Sequence, residues 1–246
     1  MSRAELPADV DPDAEFNSPV SAARIDRVLG VMGLSSGQRI LDFGCGNAEV
    51  LVRAAERYGV AGVGIDCDPL VVCTGRAKAA RRVPGAGLVL HEADAAAFPL
   101  EEGSFDAALC IGAAHALGGY RAALRAMRRL VRAGGQVLVG ELHWRREPRE
   151  EYLAVLGEAR ADREDHAGNA RLGGEEGLNL LYACASSEEE WDHFEGRHWL
   201  AALKAGPGEP VGEARRERVQ AWRDAYLRWG RETLGFGLYL FQKASP

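Results

Sequence analysis

The stretch Ile40-Leu41-Asp42-Phe43-Gly44-Cys45-Gly46-Asn47-Ala48 constrains this chain more than any other. A short run suited to a buried strand meets two glycines one residue apart. Glu49 to about Tyr58 then reads as a helix that Gly59 ends. The next apolar run, Gly62-Val63-Gly64-Ile65-Asp66, closes on a carboxylate 20 residues after Gly46. Small residues at such a turn let a ligand approach the backbone, and a strand-end acid accepts from ribose hydroxyls. The two features together predict a site for a nucleoside cofactor.

The turn also bears on which cofactor. The dinucleotide fingerprint asks for a third glycine at position 49, where Glu49 stands. With Asp42 just before the turn, two carboxylates would face a pyrophosphate, and like charges repel. A sulfonium cation with an amino group and no phosphate suits that setting better. Here the chain resembles the class I S-adenosylmethionine-dependent methyltransferases. Their first motif, E/D-x-G-x-G-x-G, is matched by Asp42, Gly44 and Gly46, with Ala48 in place of the last glycine.

Further segments follow in the order the resemblance implies. Leu88 to Ala95 reads as a third strand, and the resemblance puts Asp94 on the adenine amino group and the Ala95 amide on a ring nitrogen. Phe105 to Gly112 reads as the fourth strand, with Ile111 and Gly112 lining the cofactor. Leu130 to Gly140 reads as a helix end, a glycine turn and the fifth strand. Cys45 and Cys67 sit within the same turns and complete the expected cofactor set. The implied fold is a Rossmann-like, seven-stranded, mostly parallel sheet. Helices cover both faces, and the last strand, near Phe236 to Phe241, inserts antiparallel between strands five and six.

The rest of the chain reads as follows. Residues 1–17 are expected to be a flexible segment, and 18–246 one methyltransferase domain. Ser18-Pro19 reads as the start of a helix stopped by Gly33. Pro148 to about Arg163 reads as a helix, and 164–177, polar and glycine-rich, as a mobile loop. The N-terminal helix and residues from about 145 to 177 would form a lid. A sixth strand spans Leu178 to Ala185. A glycine- and proline-rich link at 206–210 precedes a helix whose stripe Val219, Trp222, Tyr226, Trp229 reads as core packing.

Composition narrows the partners. The net charge of −6 disfavours a nucleic-acid partner, because phosphate binding needs a basic surface. No apolar run reaches the roughly 20 residues that span a bilayer, and no signal pattern opens the chain, so a cytoplasmic location is expected. The five cysteines have neither zinc nor C-x-x-C spacing, which predicts no metal and no disulfide. A monomer or homodimer fits equally.

Ligands of open α/β sheets bind beyond the carboxyl ends of the strands. His115 follows strand four, and Glu141, His143 and Trp144 end strand five. Methyl transfer is an in-line displacement that needs positioning and, for a protonated nucleophile, a base. His115 is the candidate base, with a helix-capping histidine as the alternative. Glu141 is the candidate acceptor-binding carboxylate, expected to stay ionised. Trp144 is a candidate stacking surface. The expected activity is methyl transfer from S-adenosylmethionine to a small-molecule metabolite, with secondary metabolism as the expected setting. A nicotinamide-dependent oxidoreductase and a non-catalytic S-adenosylmethionine-binding subunit are the alternatives.

Overall fold

The computed structural model describes residues 14–203 and 212–244. The expected flexible segment therefore lies outside the described residues up to position 13, as does the link at 206–210. Ala14 is already buried, and its carbonyl accepts from the Asn47 side-chain amide at 2.6 Å.

Helix α1 (Ala22–Met32) begins three residues later than expected. Ser21 rather than Ser18 is the N-cap, its hydroxyl accepting from Arg24 N–H at 3.2 Å. Ser18 is engaged elsewhere and donates to the Ile111 carbonyl at 3.4 Å. Then β1 (Arg39–Phe43), α2 (Glu49–Tyr58), β2 (Ala61–Asp66), α3 (Pro69–Arg82), β3 (Leu88–Glu92) and β4 (Phe105–Ile111) alternate as the glycine and proline punctuation requires. Asp68 caps α3 by accepting from Leu70 N–H at 2.8 Å, with Pro69 at its first turn.

Helix α4 (Tyr120–Leu130) leads into β5 (Val131–Trp144). The expected helix from Pro148 to Arg163 is broken. Its parts are α5 (Glu150–Leu156) and a 3-10 turn at Arg160–Asp162, because Gly157 adopts a left-handed conformation (φ 68°) and ends α5. The expected loop at 164–177 is instead helix α6 (His166–Glu175). Its glycines serve close packing: a Cβ at Gly173 would lie 2.1 Å from Cε1 of Phe241. Arg121 and Arg125 further tie its end through Glu175 and Glu176. β6 (Leu178–Ala185), α7 (Glu188–Leu203), α8 (Glu213–Ala225), a π turn (Tyr226–Gly230), the one-turn α9 (Arg231–Thr233) and β7 (Leu234–Lys243) follow.

The sheet order is β3-β2-β1-β4-β5-β7-β6. Pairs among β1 to β5 are parallel, and β7 runs antiparallel to both β5 and β6. One face of the sheet buries Ile40, Leu109 and Leu138 against α1, α2, α5, α7 and α8. The other buries Leu41, Ala108 and Val139 against α4 and α6. The stripe on α8 packs as expected, with Val219, Trp222 and Tyr226 buried. The edge pairing between β4 and β5 ends at Ile111 and Gly140, yet β5 continues to Trp144. Among the described residues no helix is long and apolar enough to cross a membrane.

Candidate active site

The glycine turn after β1 is built by the backbone. Gly44 and Cys45 N–H both donate to the Ile65 carbonyl, at 2.8 and 3.1 Å, which folds the turn onto the end of β2. Gly44 has φ 64°, and a Cβ there would lie 2.2 Å from the Ala113 Cβ. Gly46 has φ 53° and nothing within 4 Å of an added Cβ, so open space lies over this backbone. Ala48 also takes a left-handed conformation (φ 60°), which costs a residue with a side chain about 1–2 kcal/mol. It is buried, and no other non-glycine described residue has positive φ.

Asp66, at the end of β2, is fixed by two backbone donors: Gly46 N–H to Oδ2 at 2.8 Å and Asp68 N–H to Oδ1 at 3.0 Å. Each carboxylate oxygen has a second lone pair, so both can still accept from a ligand. Cys67 follows it, exposed. The loop after β3 is laced to the same place by Ala93 N–H, which donates to the Asp66 carbonyl at 2.9 Å. There Asp94 is exposed, with Oδ1 held by Ala96 N–H at 2.9 Å, and Ala95 is buried. The ends of β1, β2 and β3 thus bring Gly44, Cys45, Gly46, Asp66, Cys67, Asp94 and Ala95 along one rim of the sheet.

Two carboxylates differ from the sequence expectation. Asp42 lies inside β1 and is 3% exposed. Burial, with the nearby Asp66 charge, pushes its carboxyl up to about 8, so it is largely uncharged at neutral pH. Glu49 is also buried, but Lys78 (2.7 Å), Arg82 (2.8 Å) and Arg53 (2.9 Å) surround it. Burial works to raise its pKa, and hydrogen bonds from Arg82 and Lys78 outweigh that and hold it low. One acid is thus protonated and the other compensated. Neither repels a phosphate as their bare positions suggest.

Beyond the ends of β4 and β5 opens a cavity of about 790 Å³. Gly112, His115, Glu141 and Asn169 line its inner end, and Phe194, Trp199, Trp222 and Phe236 form aromatic walls. Asn17, Ser18 and Pro19 border it from the N-terminal side. His115 sits in a 3-10 turn (Ala114–Leu117) and is exposed into this space. It does not cap α4, whose N-cap is Gly119 without a side-chain bond. Glu141 receives Leu142 N–H on Oε1 at 2.8 Å. Burial raises its pKa; that hydrogen bond, Arg163 and His115 pull the other way without cancelling the shift. The carboxyl is therefore closer to accepting a proton than a freely ionised acid would be.

His143 and Trp144 do not belong to the site. Trp144 is 2% exposed and its indole N–H donates to the Arg160 carbonyl at 3.0 Å, so it packs rather than stacks on a ligand. His143 is buried beside His166, ring centroids 4.9 Å apart, and burial lowers its pKa to about 4. Several wall residues were not evident as site residues in sequence. Asn169 lies in the stretch read as a loop, and Tyr120 and Trp222 sit on ordinary helical stripes. A buried Glu195, which accepts from Trp222 Nε1 at 2.8 Å, carries no motif at all. All five cysteines are free thiols.

Residues 40–135 match a family model described as a methyltransferase domain. The YjhP protein of Escherichia coli (strain K12) is 27% identical over 239 residues, covering 93% of this chain and 94% of that protein. The 27-O-demethylrifamycin SV methyltransferase of Amycolatopsis mediterranei (strain S699) is 30% identical over 116 residues, 47% of this chain and 43% of its own. In three dimensions the chain is similar to an S-adenosylmethionine-dependent methyltransferase from Geobacter sulfurreducens in complex with S-adenosyl-L-homocysteine. That TM-score is 0.87 at 23% identity, over 95% of this chain and 96% of the other. The chain thus carries a stretch that matches a methyltransferase domain, and it has the fold of S-adenosylmethionine-dependent methyltransferases.

Proposed function

We propose that this enzyme methylates a small-molecule acceptor held in the cavity beyond β4 and β5, with the cofactor lying across the ends of β1 to β4. The observation that carries the reading is the continuity of two features. The glycine turn, with its doubly anchored acid Asp66, packs Gly44 against Ala113, and the adjoining Gly112 lines a cavity that holds a histidine and a half-buried carboxyl.

The residues fit S-adenosylmethionine. Gly44 and Gly46 leave the backbone bare, and Asp66 presents acceptors suited to ribose hydroxyls. Asp94 and Ala95 flank the place for the adenine, and Ile111 and Gly112 the methionine end. Asp42 and Cys45 underlie the turn, and Cys67 borders it. When bound, the cofactor supplies an electrophilic methyl group. The chain's own work is to align the acceptor with it, exclude water and receive a proton. His115 is exposed to the cavity and is assigned as the base, and Glu141 as the carboxyl that binds the acceptor. Asn17 to Pro19 and the region after β5 form the cover. The size of the cavity and its aromatic walls favour a metabolite over a nucleic acid or membrane partner. The likeness to the 27-O-demethylrifamycin SV methyltransferase supports secondary metabolism as the setting, and the cytoplasm is the proposed location.

Calorimetry with S-adenosylhomocysteine and NAD tests the cofactor half. Binding of the first and not the second is expected. Turnover of S-adenosylmethionine across a panel of ring-bearing metabolites tests the acceptor half. A chain that binds S-adenosylhomocysteine but turns over only with nucleic acid or protein would sink it.

A further inference from the structure

Where β4 stops, the edge of β5 loses its parallel neighbour. In the overhang, alternate peptide groups point away from β7. The Gly140 carbonyl still accepts from Gly112 N–H at 2.9 Å, and Trp144 N–H donates to the Glu164 carbonyl at 2.9 Å. Between them, Leu142 has no strand to meet it, and buried peptide groups must be paired. Two side chains supply the partners. Leu142 N–H donates to Glu141 Oε1 at 2.8 Å, and the Leu142 carbonyl accepts from Asn169 Nδ2 at 3.0 Å.

This arrangement fixes the Asn169 amide. Only its NH₂ can face a carbonyl, so the oxygen must lie on the other side. The NH₂ also donates to the Tyr239 hydroxyl at 3.3 Å, and that hydroxyl pairs with His166 Nδ1 at 2.9 Å. Separately, Tyr120 Oη donates to the backbone carbonyl of Asn169 at 3.1 Å, which anchors α6 to α4. Asn169 is 3% exposed, and no rotation is left to it without breaking these bonds. Among the described residues, no donor meets Asn169 Oδ1 or Glu141 Oε2. Both residues line the cavity.

We propose that Asn169 is a specificity-determining residue. Its side-chain oxygen reads a hydrogen-bond donor, an O–H or N–H, carried by the methyl acceptor beside the group that Glu141 binds. Two unmet acceptors bracketing one peptide, in an aromatic-walled cavity, are complementary to two neighbouring donors on a flat ring system. A site built to pair a donor discriminates strongly against an analogue that lacks it, because the site's own polar atoms are then buried unpaired. The inference rests on the cavity being the acceptor site.

The test uses the full chain loaded with S-adenosylhomocysteine. Affinity for S-adenosylhomocysteine is measured first, and its absence would count against the proposed function as a whole. Esculetin, a coumarin with two adjacent hydroxyls, and scoparone, its dimethyl ether, are then titrated by fluorescence. The wild type should bind esculetin at least about tenfold more tightly. Asn169→Leu should lower the ratio severalfold, leaving the part that Glu141 supplies, with S-adenosylhomocysteine affinity unchanged. Tyr239→Phe removes one anchor of the amide, keeps the bond to Leu142, and should reduce the ratio part-way. It decides the matter if Asn169→Leu does not fold. Absence of a preference in the wild type, or a preference unchanged in a folded variant, overturns the proposal.

Discussion

The backbone N–H of Gly46 donates to Oδ2 of Asp66 at 2.8 Å, which joins the first glycine turn to the end of the second strand. The carboxylate is aimed before any ligand arrives. Both its oxygens are held by the backbone, and neither is saturated.

Asp66→Ala should weaken S-adenosylmethionine binding by about 1.5–3 kcal/mol, the range for hydrogen bonds to a charged group. Asp66→Asn keeps one acceptor oxygen and should lose less. Calorimetry on variants with wild-type circular dichroism measures both. Full affinity in Asp66→Ala would remove this residue from the site.

Gly44→Ala meets two obstacles: a positive φ and the Ala113 methyl 2.2 Å from the new Cβ. A destabilisation of at least about 2 kcal/mol is expected in urea titration. Adding Ala113→Gly should recover only part, because the contact is relieved and the φ is not. Complete recovery would show that the backbone conformation contributes nothing.

Asp42 predicts a pH effect on stability. Its folded carboxyl is pushed up to about 8 from an ordinary 3.8. The unfolded chain therefore ionises first, and stability is lost as pH rises through that window. Asp42→Asn should flatten this decline and gain at least about 1 kcal/mol relative to wild type at about pH 9. Parallel denaturation curves for the two proteins from acid to alkaline pH would contradict the assignment of a buried protonated acid.

His115→Ala should lower kcat by about 10²–10⁴-fold and leave cofactor affinity unchanged, as expected for loss of a general base. The residual rate should also lose the wild type's pH dependence. A rise in KM with normal kcat would reassign His115 to acceptor binding and make Glu141→Gln the next variant.

Much of the sheet was legible, because β1 to β4 are short apolar runs set off by glycine or proline. Asp66 and Gly46 could be paired from spacing alone. Gly168 and Gly173 misled, since glycines in a polar stretch read as flexibility. Here a Cβ at Gly173 would run into Phe241 and one at Gly168 into Glu164, so both glycines permit close approach within and beneath a helix. Ser18-Pro19 is a common helix start, but Ser18 is drawn to the Ile111 carbonyl and Ser21 caps instead. The charges on Asp42 and Glu49 were visible, whereas the burial of one, and the Lys78 and Arg82 of α3 that join Arg53 around the other, depend on how elements pack together. Asn169 could not have been found from its neighbours, because its role depends on a carbonyl 27 residues away.

The unequal lengths of β4 and β5 separate two kinds of change. In the proposed function, the cofactor lies on the turns after β1, β2 and β3, whereas the acceptor wall hangs on the overhang from Glu141 to Trp144 and on α6 behind it. Exchanges at Glu141, Asn169 or the short connection after Gly112 can retune what is methylated and leave the grip on the methyl donor alone. A fold arranged in this way can diversify its chemistry at one ledge while the rest of the sheet stays fixed.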